Sequence, residues 1–308
     1  MLFAVDAQTL RQLTVDGFFR GCSYGLLGTG FALILGVTGR FHFAYGFTYT
    51  LAVYFAYTFT FRVHWPFWPS AIVGVALAAA MGGLIERVVY RPLAKNAGPT
   101  ALLAVFVAAL GLGIAGENVI RLFWGSESQS YFGPKQRNYI FWGSTHFLNF
   151  DFWQAASGVI IVTLLALMLR YTALGRRIKA TRINPDLART IGINADATYV
   201  ICFVLGTICA GVAAVWQGLK FTVDPAMGST PVIFAFVVAF LAGTARSPVR
   251  VFLTGIFVAL VEQYASIWLS VRWTQTAVFV VLVAYLTYLA VKSSTFGARF
   301  ARLRLRRA

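Results

Sequence analysis

The chain has 308 residues, of which 59% are hydrophobic and 12% are charged. The charged fraction is about half that of a soluble domain. No polar stretch is long enough to form a domain with a core of its own. The net charge of +16 would suggest a nucleic-acid partner in a soluble protein, but in a membrane protein it follows from the positive-inside rule, so we expect contact with the lipid bilayer and none with nucleic acid. The apolar runs have helical length rather than the roughly ten-residue alternation of an outer-membrane barrel, which predicts an all-α, polytopic membrane helix bundle forming a single transmembrane domain, 1–308.

Eight or nine membrane segments are predicted, some of them broken or re-entrant. In chain order the apolar runs cover residues 15–37, 41–61, 70–85, 100–120, 152–169, 199–219, 232–242, 248–269 and 273–291. The run 232–242 is shorter than the roughly 20 residues that a full crossing needs, so we predict a half helix or part of a broken helix there. A turn-rich break with two prolines, 220–231, precedes it.

The distribution of cations predicts the orientation of the bundle. Most of the 26 Lys and Arg residues lie in the loops around Arg40, Arg91 and Arg246, in the segment 172–196 and in the C-terminal tail. The positive-inside rule therefore places these loops and the C-terminus in the cytoplasm. The side of the N-terminus stays open, because one re-entrant segment would reverse it. The longest polar loop, 121–151, is predicted on the periplasmic side as an external lid or docking rim.

The cytoplasmic segment 172–196 is a basic island with a short helix in its middle. Asn184 is a good N-cap, because its side-chain oxygen can accept from a free backbone N–H. Pro185 follows at the first helical position, where its missing N–H costs nothing. Asp186 then places a negative charge at the positive end of the helix dipole.

The other end of this helix is equally well specified. Leu187 and Ile191 are four residues apart and share a face, and Gly192 can adopt the left-handed conformation that ends a helix. Basic charge alone would indicate only an orientation signal. A rigid, capped helix with an apolar pair favours a docking element instead.

Carboxylates in or near the spans are candidate functional residues, because a charge within a membrane is expensive. They are Asp16, Glu86, Glu117 and Glu262. Glu86 is predicted to be interfacial, at a cytoplasmic boundary, and Glu117 lies near the outer end of its span, where it can contact water. Glu262 is the deepest, and its sequence position fits a pore-lining residue and a structural partner for a cation of another helix equally well.

The pentad HFAYG, which contains His42, Phe43, Tyr45 and Gly46, is a further candidate for the substrate pathway. It follows a glycine-rich run, and such breaks place backbone groups at membrane depth, where they must face protein or a water-filled path. A plain helix start at the interface is the alternative. We favour a cavity, since aromatic residues can pack against a small apolar solute.

The sequence contains no enzyme motif in the structural context that its chemistry needs. The P-loop pattern GxxxxGK[ST] and the metalloprotease pattern HExxH are absent, and the one GxSxG match, GCSYG at 21–25, lies within an apolar run of helical length rather than at a strand-to-helix turn. The chain is therefore not expected to hydrolyse ATP or to act as an enzyme with catalytic residues of its own. The three histidines do not form a ligand set, and the three cysteines lie in apolar runs, where packing is the expected role. We therefore expect no metal and no cofactor bound by this chain.

Several segments, in the same order and spacing, resemble the permease subunits of bacterial branched-chain amino acid ABC importers of the LivH/LivM type. The run GCSYGLLGTGFALILGVTGRFHFAYG resembles the family's first-span pattern leading to NFAHG, and IERVVYRPL resembles its IER…YRPL signature. The basic segment TALGRRIKATRINPDLARTIGIN resembles the family loop that carries LGRA, with Gly175 and Arg176 in that motif. The stretches 203–218 and 225–228 also fit. The chain departs from the family at His42 and Tyr45, and at AGTARSP in place of GG.GS.

The resemblance implies a multi-pass protein of the bacterial inner membrane. It implies that two related permeases, usually a heterodimer, form the path, that two cytoplasmic P-loop ATPase subunits carry ATP and Mg, and that a periplasmic binding protein delivers the solute. It identifies Asn184 to Ile191, with Ala188, as the helix that couples the permease to the ATPase. Branched-chain or other small amino acids, or related small solutes, are the implied cargo. A stand-alone ion-coupled transporter or channel using Glu262 or Glu117 is the alternative.

Overall fold

The structure, a computed structural model, describes residues 7–130, 139–142, 145–243, 247–270 and 273–288, and these residues are almost wholly helical. The helices are α1 (Ala7–Thr38), α2 (Tyr45–Phe61), α3 (Phe67–Ile85), α4 (Arg91–Asn96), α5 (Ala101–Trp124), α6 (Asn149–Tyr171), α7 (Ala173–Ile183), α8 (Pro185–Thr190), α9 (Ala195–Lys220), α10 (Ser229–Ala242), α11 (Pro248–Ala265) and α12 (Trp273–Tyr288). A π-helical turn, Glu86–Tyr90, joins α3 to α4, and a 3₁₀ turn, Gly98–Thr100, precedes α5.

Six helical stretches are long and apolar enough to cross a membrane: α1, α3 with its continuation to Asn96, α5 with its preceding turn, α6, α9 and α11. Helices α10 and α12 are apolar but shorter, and α2 has 17 residues. The predicted helical membrane bundle is confirmed in outline. The count of eight or nine segments and the cytoplasmic C-terminus stay predictions, and both Arg246 and the basic tail lie outside the described residues.

The predicted loop 121–151 is shorter than expected and contains strand. Helix α5 continues to Trp124 and α6 begins at Asn149. Between them β1 (Tyr139–Trp142) pairs antiparallel with β2 (Thr145–Leu148), with Tyr139 opposite Leu148. This short hairpin is a local addition to an otherwise helical bundle, and its aromatic and β-branched residues favour strand over helix.

Helix α1 lies at the centre of the bundle and packs against α6, α9, α10 and α11. Its glycines allow this close packing: a methyl group at Gly25 would lie 2.5 Å from the carbonyl oxygen of Phe252 on α11. In lipid, where helices gain no hydrophobic driving force from each other, such close backbone approach is the main source of packing energy.

Helix α2 begins inside the bundle rather than at its surface. The hydroxyl of Tyr45, its first residue, donates to the carbonyls of Leu27 and Gly206, at 3.1 and 3.0 Å, and both acceptors lie midway along their helices. The first turn of α2 also meets the start of α10, because a methyl group at Gly46 would lie 2.8 Å from the carbonyl oxygen of Gly228. Helices α2 and α10 thus begin next to each other, and the start of α2 lies beside the middle parts of α1 and α9.

Two ends of the bundle can be distinguished. Helix α6 leads from β2 to α7, and α9 leads from the segment after α8 to residue 220. With 23 and 26 residues at about 1.5 Å of rise each, these helices separate the two ends by roughly 35 Å. We call them the α8 end and the hairpin end.

Candidate functional site: a docking helix and two cavities

The predicted short helix in 172–196 is present as α8, with both caps formed. The side-chain oxygen of Asn184 accepts from the backbone N–H groups of Asp186 and Leu187, each at 3.0 Å, and Pro185 occupies the first helical position. At the other end Gly192 has a φ of +83°. These contacts are all local in sequence and satisfy backbone groups at both ends of α8.

The C-terminal end of α8 forms a Schellman motif. The N–H of Ile193 donates to the carbonyl of Ala188 at 3.0 Å, and that of Gly192 to the carbonyl of Arg189 at 3.1 Å. This pattern requires a residue with positive φ at position 192. A methyl group at Gly192 would meet nothing within 4 Å, so the backbone angle alone restricts this position.

The exposed surface at α8 contains apolar side chains beside the charged Asp186 and Arg189. Leu187 is 61% exposed and Ile191 is 67% exposed, with Ile183 of α7 exposed beside them, whereas Ala188 is buried against the body of the protein. Exposed apolar side chains at the tip of a polar, basic segment are typical of a surface that another protein covers.

Most of the predicted basic island is itself helical. Thr172 caps α7 by accepting from the N–H of Gly175 at 3.1 Å. Gly175 is buried against the end of α6, where a methyl group would lie 2.5 Å from the carbonyl of Leu169, and Arg176 is exposed. The sequence analysis placed only the short helix here and did not identify α7, whose polar composition hides its helical periodicity.

Asp196, at the start of α9, joins α8 to the rest of the α8 end. Its carboxylate contacts Arg189 of α8 at 3.4 Å, Arg91 at 2.5 Å and Lys95 at 3.1 Å. Arg189 also contacts Asp186 within α8, at 3.0 Å. Through this one carboxylate α8 is connected to α4 and α9.

A second ion pair lies inside the bundle. Glu86, which was predicted to lie at a cytoplasmic boundary, is 1% exposed and forms an ion pair with Arg40, so its side chain is packed within the protein. The π-helical turn changes the direction of the residues after α3 and turns both Glu86 and Tyr90 inward. The guanidinium of Arg40 also lies 5.2 Å from the ring centroid of Tyr199.

The residues of HFAYG divide into two groups. His42 and Tyr45 are fully buried; a ring nitrogen of His42 lies 2.9 Å from the Tyr90 hydroxyl, and Tyr45 makes the carbonyl hydrogen bonds described above. Phe43 and Gly46 instead line a cavity of about 320 Å³ at the start of α2.

This first cavity lies between α2, α5 and α10. Glu117 is part of its wall, together with Pro225 and Gly228 of the predicted break before α10. The carboxylate of Glu117 is paired with Arg121, one turn later, at 2.5 Å. Three of the residues predicted for a substrate pathway (Phe43, Gly46 and Glu117) are therefore brought together, and the rest of the wall is largely apolar.

The remaining predicted residue, Glu262, lies in a second cavity of about 470 Å³ at the hairpin end. It is 6% exposed, and one of its oxygens lies 3.6 Å from the guanidinium of Arg20 on α1. Glu262 therefore pairs with a cation of another helix and also lines a cavity, while its role in a transport path stays a prediction. Asp16, which accepts from Gln12 at 3.0 Å, lines the same cavity.

Several polar residues that the sequence analysis did not predict as site residues lie in the buried ion pairs and cavities described above. They are Arg40, Gln154, Asp151, Asp196 and Lys220. Each has its partner on a distant part of the chain, so no local pattern identifies it. Among the residues that the structure describes, no group of three or more His, Cys, Asp or Glu is placed to hold a metal ion.

Comparison with known proteins agrees with this architecture. The family model for the permease component of branched-chain amino acid transport systems matches residues 13–291. The high-affinity branched-chain amino acid transport system permease protein LivH of Escherichia coli (strain K12) is 27% identical over 290 residues, covering 89% of this chain and 92% of LivH. The permease protein BraD of Pseudomonas aeruginosa is 26% identical over 294 residues, covering 91% and 93%.

Among solved structures, PsaBC from Streptococcus pneumoniae in complex with Fab is 13% identical, with a TM-score of 0.45, and covers 91% of this chain and 90% of that one. The family match extends over nearly the whole chain, and both relatives are covered almost end to end. This chain therefore belongs to the family of permease components of branched-chain amino acid transport systems.

Proposed function

We propose that this chain is the membrane-spanning subunit of an ATP-driven importer for branched-chain or other small amino acids in the bacterial inner membrane. Two cytoplasmic P-loop ATPase subunits would bind ATP and Mg, a second, related permease would complete the path, and a periplasmic binding protein would deliver the solute. Family membership and the names of LivH and BraD support the transport role. The exposed apolar surface of α8 is the observation that carries the proposed coupling to an ATPase.

In this proposal α8 is the coupling helix, and the α8 end faces the cytoplasm. A rigid, doubly capped helix transmits a displacement without deforming, because its own hydrogen bonds hold both of its ends. The contacts of Asp196 with Arg189, Arg91 and Lys95 would pass that displacement to α9 and α4. Closure of the ATPase pair would thereby shift the bundle between inward-open and outward-open states.

The cavity at the start of α2 supports the assignment of the cargo. Its volume of about 320 Å³ falls at the lower end of the usual range for small-molecule sites. Phe43, Val232 and Ile233 give its wall an apolar character, which suits a branched aliphatic side chain. Because α2 and α10 both begin here, small relative movements of the two helices would change the shape of this cavity.

A stand-alone ion-coupled transporter is the second candidate, and the buried carboxylate of Glu262 favours it. Such a protein would move solute on an ion gradient and would not need α8. Dependence of transport on the shape of α8 therefore separates the two candidates.

We predict that Gly192→Val uncouples transport and that Gly192→Asn does not. Valine resists the φ of +83° observed here, at a cost of about 1–2 kcal/mol or more, whereas asparagine tolerates it. No neighbour would clash with either side chain. Each variant is expressed in cells whose own copy of the permease gene is deleted, and uptake of labelled leucine is measured. Uptake should fall to background in cells with the valine variant and stay near the parent level in cells with the asparagine variant. If the valine variant takes up leucine as fast as the asparagine variant at equal expression, the shape of α8 does not matter for transport.

A further inference from the structure

A third cavity, which we call the basic cavity, lies at the α8 end of the bundle. It is formed by α1, α6, α7 and the start of α11, and its volume is about 580 Å³. The buried part of its wall is largely apolar: Ala32, Leu33 and Val37 of α1, Ile178 of α7 and Val251 of α11. The exposed part carries three cations, Arg170 near the end of α6 and Lys179 and Arg182 of α7.

The three cations of the basic cavity have no counter-charge within the described part of the chain. No Asp or Glu is among the described residues that line the cavity, and no ion pair found among the described residues includes one of these cations. The sequence after Glu262 contains no acidic residue that could supply one. Because like charges around one cavity repel each other, an anion that enters it is attracted by all three.

An orientation signal alone would not require this arrangement. Basic residues that only obey the positive-inside rule can be solvated on a loop. Lys179 and Arg182 lie instead on a helix whose buried residue Ile178 forms part of the apolar wall. A basic rim above an apolar wall matches a ligand that is anionic at one end and apolar at the other, as basic pockets between transmembrane helices match lipid headgroups.

The opening of the basic cavity lies where α6 leaves the apolar part of the bundle. Tyr171, the last residue of α6, is exposed, and the guanidinium of Arg170 lies 5.2 Å from its ring centroid. Tyrosine is enriched at the membrane–water interface, where its apolar ring and its hydroxyl are both accommodated. This position places the cations of the cavity at the level of lipid headgroups.

An exposed apolar strip leads from the basic cavity along α11. Val249 lines the cavity, and Leu253 and Phe257 follow at intervals of four residues, on the same face of the helix. All three side chains are exposed. At about 1.5 Å of rise per residue, the strip extends roughly 12 Å toward the hairpin end. A strip of this kind, beginning at a group of cations, suits an acyl chain that continues from a bound headgroup.

We propose that the basic cavity binds one anionic phospholipid, with Arg170, Lys179 and Arg182 contacting its phosphate and an acyl chain lying along α11. This inference rests on the proposed function, because the α8 end must face the cytoplasm for the lipid to come from the cytoplasmic leaflet. Helix α7 continues through Asn184 into α8. A lipid that holds α7 against α1 and α6 would therefore set the position of the coupling helix, and transport would depend on the lipid composition of the membrane.

Native mass spectrometry of the purified full chain in detergent, titrated with phospholipid, tests this inference. Dioleoyl phosphatidylglycerol and dioleoyl phosphatidylcholine have the same acyl chains, but only the first has a net negative charge. The parent chain should bind the first molecule of phosphatidylglycerol at least tenfold more tightly than phosphatidylcholine. Glycerol 3-phosphate, which has the phosphate without the acyl chains, should not displace phosphatidylglycerol at the same concentration.

Variants of the rim cations test the position of the site. Lys179→Gln and Arg182→Gln should each weaken phosphatidylglycerol binding about fivefold, and the double variant about 30-fold, as expected for cations near a lipid surface. Arg177→Gln is the matched control, because it removes one positive charge from an exposed side chain of the same helix outside the cavity. This control should bind phosphatidylglycerol like the parent chain.

Thermal unfolding of each variant shows whether it is folded, and the comparison of the two lipids uses the parent chain alone. Equal binding of the two lipids, or parent-like binding by the folded double variant, would overturn the inference. Displacement by glycerol 3-phosphate would also overturn it and would assign the cavity to a soluble anion. An equally large loss in Arg177→Gln would mean that α7 attracts anionic headgroups diffusely and that the cavity is not a lipid site.

These outcomes are separable from those that test the proposed function. Binding in this assay requires neither ATP nor an ATPase, so Leu187→Asp should bind phosphatidylglycerol like the parent chain. If the two lipids bind equally but uptake depends on α8, the importer stands and the lipid site is wrong. If phosphatidylglycerol binds selectively but uptake proceeds without an ATPase, the lipid site stands and the importer is wrong.

Discussion

Leu187→Asp is expected to reduce ATP-driven uptake to background while the chain stays folded. Burying a leucine at an interface contributes about 1.5–3 kcal/mol, and a desolvated, unpaired carboxylate costs several kcal/mol more. At 1.4 kcal/mol for each factor of ten, the ATPase should bind about 1,000-fold more weakly. Leu187 is 61% exposed in this chain alone, so the folding free energy should change by about 0.5 kcal/mol or less.

Leu187→Met is the control for this prediction, because methionine keeps an apolar side chain of similar volume. Uptake of labelled leucine into cells, measured beside the amount of permease in the membrane, distinguishes coupling from expression. Normal uptake by the aspartate variant would mean that no partner covers this face of α8.

Arg40→Met is expected to cause the largest loss of stability. Its removal leaves the carboxylate of Glu86, which is 1% exposed, without its charged partner. Breaking one side of a buried ion pair costs about 3–5 kcal/mol, because an uncompensated charge stays behind. Thermal unfolding of the detergent-solubilised protein, followed by size-exclusion chromatography with fluorescence detection, should show a clearly lower midpoint.

The double variant Arg40→Met/Glu86→Met tests the reason for that loss. Replacing both partners by apolar residues of similar volume removes the unpaired charge, so the double variant should recover much of the lost stability. If Arg40→Met is as stable as the parent, or the double variant is less stable than the single one, an unpaired charge on Glu86 is not the cause of the loss.

The sequence predicted the features that local chemistry determines. The caps of α8 depend on Asn184, Pro185 and Gly192, which are close in sequence, and the structure contains them as expected. The main helices agree with the predicted runs because length and hydrophobicity alone define a span. Helix α2 begins at Tyr45 rather than at residue 41, and the residues before it contact a distant segment, His42 through Tyr90 and Arg40 through Glu86.

Ion pairs between residues far apart in the sequence could not be predicted from local sequence patterns. Glu86 lies beside Arg87 in a motif that ends a span, and nothing in that motif shows that the π-helical turn directs Glu86 inward to Arg40, 46 residues away. Asp151 and Lys220 likewise meet only because α6 and α9 are antiparallel neighbours. For Glu262 the sequence left two interpretations, and the packing of α1 against α11 accommodates both.

The central claim is that α8 docks on an ATPase, and cross-linking in native membranes tests it most directly. The native cysteines Cys22, Cys202 and Cys209 are buried, so a photoactivatable maleimide will label a Leu187→Cys variant selectively. Leu122→Cys, on a side chain that is 85% exposed near the hairpin end, is the matched control.

Mass spectrometry should identify peptides of a P-loop ATPase in the adduct of Leu187→Cys and none in that of Leu122→Cys. This result would place the ATPase on α8 and establish the chain as the permease of an ATP-driven importer. An absence of any protein adduct at position 187, together with leucine uptake into liposomes on an ion gradient without ATP, would contradict the account.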